Sequence, residues 1–101
     1  MKFILNGPLK ENILNLMRRI GYQFWGSNEN EKSELNFIRS LGERSGFPRF
    51  HLYLKIEGEN LFFNLHLDQK KPVYRDAPAH SGEYDSELVK KEMERIEQIL
   101  K

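Results

Sequence analysis

Arg49-Phe50-His51-Leu52-Tyr53-Leu54-Lys55-Ile56-Glu57-Gly58-Glu59-Asn60-Leu61-Phe62-Phe63-Asn64-Leu65-His66-Leu67-Asp68 is the stretch whose reading decides the fold. In its first half Phe50, Leu52, Leu54 and Ile56 alternate with Arg49, His51, Tyr53 and Lys55. In its second half Leu61, Phe63, Leu65 and Leu67 alternate with Phe62, Asn64, His66 and Asp68. Successive side chains of a strand point to opposite faces, so each run predicts a strand with one apolar face. A two-residue turn at Gly58-Glu59 pairs Ile56 with Leu61, Leu54 with Phe63, Leu52 with Leu65 and Phe50 with Leu67. Every apolar position then meets an apolar partner. The same register sets His51 opposite His66, Tyr53 opposite Asn64, Lys55 opposite Phe62 and Arg49 opposite Asp68.

On the N-terminal side of this hairpin, residues 2–5 read as a short strand. Gly7-Pro8 is expected to open a helix with proline at its first position, carried on by Leu9, Ile13, Leu16, Met17 and Ile20 and ended by Gly21. Tyr22 to Trp25 reads as a short strand, Gly26 to Ser33 as a polar loop, and Leu35 to Leu41 as a weaker strand whose alternation Ile38 breaks. On the C-terminal side, residues 69–84 include Pro72, Pro78 and Gly82 and carry no period. Connections of that length in a compact domain tend to be functional. Asp85 is expected to cap a final helix with the stripe Val89, Met93, Ile96 and Leu100, widened by Leu88 and Ile99.

These elements predict a single α+β domain over residues 1–101. Its architecture is an antiparallel sheet of about four strands, with an N-terminal and a C-terminal amphipathic helix packed on one face. The helices need the face of Phe50, Leu52, Leu54, Phe63, Leu65 and Leu67 to bury their stripes. The other face is left to Arg49, His51, Tyr53, Lys55, Phe62, Asn64, His66 and Asp68.

A chain of 101 residues suffices for one two-layer core. Its net charge of +1 divides into nine basic against five acidic residues over 1–55 and seven against ten over 56–101, too weak an asymmetry to imply nucleic acid by itself. The absence of cysteine excludes disulfides, thiol nucleophiles and cysteine-ligated zinc. The apolar run at residues 1–5 is interrupted by Asn6-Gly7-Pro8, too soon for a signal peptide, and no later run reaches membrane-spanning length. A soluble, cytoplasmic protein that does not use membranes is the expectation.

The chemistry of the second face points to a binding site. Directly opposed residues of a ladder hold their Cβ atoms roughly 4.5–5.5 Å apart, close enough for two imidazoles to converge on one ion. His51, His66 and Asp68, with His80 from the long connection, form a candidate ligand set for a divalent metal such as zinc. Arg49, Tyr53, Lys55 and Asn64 are candidate neighbours for a small anionic ligand. An open coordination position would suit metal-dependent hydrolysis. An imidazole with Asp68 would suit metal-free proton transfer, with Ser81 as a conceivable nucleophile.

Two other classes stay open. Tyr53 and Phe62 among basic side chains resemble a platform for single-stranded nucleic acid, although no lysine/arginine-glycine-aromatic signature is present. Alternatively, Pro72, Val73, Tyr74, Pro78 and Tyr84 cover those aromatics. Trp25, on a strand suited to a sheet edge, would serve a protein partner as an anchor. Whether the chain is an enzyme is left open by its residues. Both His51 and His66 are expected on the solvent side, where replacement by alanine leaves the fold intact.

Overall fold

β4 (Arg49–Glu57) and β5 (Asn60–Asp68) pair in the register that their alternation predicts. It runs from Arg49 opposite Asp68, through His51 opposite His66, to Ile56 opposite Leu61, and Glu57 opposite Asn60 closes the ladder. Gly58 turns the chain at φ +60°, and no non-glycine residue among those described has a positive φ. A glycine of this kind at the first of two turn positions is the type II′ arrangement, whose twist matches that of a hairpin.

The computed structural model describes residues 1–28, 31–42, 47–69, 82–83 and 86–100. They form β1 (Lys2–Leu5), α1 (Ile13–Arg19), β2 (Gln23–Asn28), β3 (Glu31–Ser40), β4, β5, β6 (Gly82–Glu83) and α2 (Glu87–Leu100). The sheet is antiparallel with the order β1-β5-β4-β3-β2, and the short β6 also pairs with β5. Among the described residues the sheet thus has five strands besides β6, rather than about four. β1 lies along Leu61 to Asn64 of β5, and β6 along Leu67 and Asp68.

The segment expected as a loop from Gly26 to Ser33 is largely strand. β2 continues through Gly26, Ser27 and Asn28, and β3 starts at Glu31. Ladder bonds are made by backbone groups, so a pair at the sheet's margin needs no apolar side chains to extend itself. Trp25 is the extra residue of a bulge, since Phe24 opposes Phe37 and Gly26 opposes Asn36. Ile38 breaks the alternation of β3 because both faces are covered there. Phe37 is fully buried in the core, and Ile38 is buried on the other face between its register neighbours Gln23 and His51.

Both helices sit on the apolar face as expected, but each starts later. Asn12 caps α1 by accepting the Asn15 amide at 2.8 Å on Oδ1. A side-chain acceptor satisfies an amide that the first turn leaves open, which Gly7-Pro8 cannot do. Pro8 therefore precedes the helix, although Leu9 still packs against the core. At α2 the cap is Ser86, whose Oγ accepts the Val89 amide at 3.3 Å, while Asp85 lies outside the described residues.

Leu16, Met17 and Ile20 near α1 and Val89, Met93 and Ile96 from α2 join Phe37, Phe50, Leu52, Leu54, Leu61, Phe63, Leu65 and Leu67 in one cluster. Leu88, expected in the α2 stripe, is exposed, whereas the carboxylate residue Glu92 is buried. Its charge is met by Arg95, with Nε at 2.7 Å and Nη2 at 2.9 Å, by the Tyr22 hydroxyl at 2.7 Å, and by Arg39 at 3.3 Å. Burial, and then the negative charge of Glu92, push the Tyr22 phenol above its usual range, so it donates as a neutral hydroxyl. No helix among the described residues is long and apolar enough to cross a membrane.

Candidate metal centre

Two ladders lay out the second face as a grid. Ser40, Arg49 and Asp68 form one row across β3, β4 and β5, and Ile38, His51 and His66 the next. Asn36, Tyr53, Asn64 and Lys2 follow, and then Glu34, Lys55, Phe62 and Ile4, with β1 now included. Residues two apart on a strand are separated by roughly 6.6–6.8 Å, so Asp68 reaches back one row to the histidines.

The reach is made. His66 Nε2 lies 2.8 Å from Asp68 Oδ1, and His51 Nδ1 lies 3.5 Å from Asp68 Oδ2. One donor atom from each of His51, His66 and Asp68 falls within 4.8 Å of the others. The second nitrogen of His51, Nε2, is 3.1 Å from Asn36 Oδ1. With Nε2 donating to that oxygen, the ring is fixed with Nδ1 toward Asp68, as a second-sphere partner fixes a metal-bound imidazole. The Tyr53 ring stacks on His51 with centroids 4.3 Å apart and lies 5.3 Å from His66. The two imidazole centroids are 4.9 Å apart.

Asp68 is anchored from a third side by Arg49, whose Nε is 3.3 Å from Oδ2. That guanidinium lies over the rings of Phe47, at 4.3 Å, and Trp25, at 5.1 Å. Burial alone would raise the Asp68 carboxyl, but hydrogen bonds from His51 and His66, and then their charge, outweigh it and hold the group below the usual carboxylate range. Asp68 is thus an anion at neutral pH, as ligation requires.

One expectation fails here. His66 is buried, with 5% of its surface exposed, and is not a solvent-side residue. Alternation assigns a side chain to a face, and on this face the neighbouring rings of His51 and Tyr53 help cover it. His51, Tyr53, Asn64 and Asp68 are half-buried. His80, Ser81 and the proline- and tyrosine-bearing segment expected to cover Tyr53 and Phe62 lie outside the described residues.

Tyr53, Lys55 and Asn64 come together with Phe62, Ile4 and Lys2 around a groove of about 730 Å³, on the opposite side of Tyr53 from the histidines. Arg49 belongs to the other end of the face. Asn36 was not legible as a site residue, because its place beside His51 depends on the β3–β4 register. No two-residue turn specifies that register. Trp25, on the outermost strand β2, is 57% exposed.

The cluster of His51, His66 and Asp68 could hold a metal ion. Metal–ligand distances of roughly 2.0–2.2 Å place neighbouring ligand atoms about 3.3–3.5 Å apart. The His51 Nδ1–Asp68 Oδ2 separation of 3.5 Å has this value, whereas the 2.8 Å His66 contact is made to the other oxygen, Oδ1, and the three donors, spread over up to 4.8 Å, have to draw together around an ion. Two neutral imidazoles and one carboxylate supply a single negative charge, leaving a divalent ion with net charge and a fourth position for water or an anion. Comparison of the chain with protein-family models, with curated proteins and with solved structures found no match.

Proposed function

We propose that this domain binds a divalent metal ion, zinc by the chemistry of its donors, through His51, His66 and Asp68. The observation that carries the reading is the convergence of three donor atoms within 4.8 Å on β4 and β5, the paired strands at the middle of the sheet. Orientation of His51 by Asn36 and the anionic state of Asp68 support it further. His51 faces Asn36 Oδ1 with Nε2 and Asp68 Oδ2 with Nδ1. An ion at Nδ1 takes the place of a hydrogen held there, so binding releases protons. Arg49 and Tyr53 flank His51 along β4, and a small anionic ligand is the natural occupant of the ion's fourth position.

The test is calorimetric titration of chelator-treated protein with zinc in two buffers of different ionisation enthalpy. One ion per chain with proton release is expected. The variants His51→Ala, His66→Ala and Asp68→Asn should each weaken binding by more than the roughly 10–100-fold that a second-sphere partner is worth. Arg49 shares Asp68 with the ion and sits over Trp25, so tryptophan emission should change along the same isotherm. Absence of binding in the wild type, or wild-type affinity in the three variants, would refute the site.

A further inference from the structure

A second polar cleft lies where α1 hands over to β2. Arg18, Gly21, Tyr22, Gln23, Ile38, Arg39 and Ser40 surround a cleft of about 450 Å³. Gly21 leaves the helix at φ +88°, a conformation that side-chain-bearing residues rarely adopt. A Cβ placed there would lie 3.6 Å from Arg39 Nε, so the Arg39 side chain runs directly across this turn.

The charge around the cleft does not balance. Arg95 takes both oxygens of Glu92 in a paired, fork-like contact, at 2.7 and 2.9 Å. Arg39 approaches the same two oxygens only at 3.3 Å, through one nitrogen. Arg18 and Arg39 line the cleft, and together with Arg95, which also holds Glu92, three guanidiniums stand against the one carboxylate of this network. Tyr22 adds no negative charge there. Guanidinium groups present planar pairs of donors suited to phosphate oxygens.

We propose that this cleft binds a phosphate monoester, with the phosphate between Arg18 and Arg39. The volume exceeds what one phosphate fills, and Gln23 and Ile38 line the space for the organic part. The site shares no ligand residue with the metal centre, so neither reading rests on the other.

The experiment is an amide NMR titration with inorganic phosphate and, separately, phenyl phosphate, at ionic strength held constant with chloride. Saturable shifts at Gly21, Gln23, Arg39 and Ser40 are expected, with phenyl phosphate the tighter of the two. Arg18→Ala should weaken binding at least tenfold. Arg18 is exposed and alanine is the best helix former, so α1 persists. Arg18→Lys, which keeps the charge and loses the fork, should fall between wild type and alanine. Shifts that stay linear in concentration, that map to His51 and His66 instead, or that are unchanged in Arg18→Ala would overturn the proposal.

Discussion

At the scale of single residues, His66 and His51 differ more than their symmetrical places in the ladder suggest. His66 is buried and bonded to Asp68 at 2.8 Å, whereas His51 is more open and its contact to Asp68 is 3.5 Å. In chelator-treated protein, His66→Ala should therefore cost about 1–3 kcal/mol, the penalty of a buried polar partner left behind. His51→Ala should cost about 0.5–1.5 kcal/mol, a hydrogen bond's net worth. Urea unfolding measures both, and equal stabilities would show that the two rings are equivalent. Asp68 sets an acid dependence. Its carboxyl is depressed in the folded state, so the stability it contributes is fully present above the ordinary carboxylate pKa of about 4 and is lost as pH falls below that toward the folded value. Thermal unfolding followed from pH 6 downward should show this loss in the wild type, and Asp68→Asn should lack that component.

Among the elements, the β4–β5 hairpin was legible in full, because two alternations and a Gly58 turn leave one register that sets each core-face apolar residue opposite another. The face bearing His51, His66 and Asp68 was legible for the same reason. What alternation does not encode is how deeply a face is covered, and so the burial of His66 went unread. Polar composition hid the pairing of β2 with β3, since Gly26, Ser27 and Asn28 contribute backbone bonds and no hydrophobic signal. Glu92 was invisible for another reason: on a helical wheel it borders the stripe as a solvated acid would, and only the tertiary fold brings Tyr22, Arg39 and Arg95 around it. This network ties α2 to β3 and to the end of α1, where Arg95 also donates to the Ile20 carbonyl at 2.6 Å. Glu92→Ala leaves the Tyr22 hydroxyl and two guanidiniums without their acceptor and should cost about 1–3 kcal/mol in denaturant unfolding.

For the whole molecule, one layer of helices and one sheet share a core in which Leu52 and Leu65 face each other with no exposed surface. Truncation of either to alanine should cost about 2–5 kcal/mol, read by chemical or thermal unfolding, with the spread set by how far the cavity collapses. Among the described residues the sheet's two outer margins are both poor lines of attachment. β1 has four residues, and β2 carries the Trp25 bulge and a second register shift beyond Ser27. A strand from another chain trying to lengthen the sheet would find a short rim on one side and an interrupted row of donors and acceptors on the other. Growth into fibrils through these rims is thereby frustrated, and the protein can carry a central run as greasy as Leu61 to Leu67 without offering it as a template.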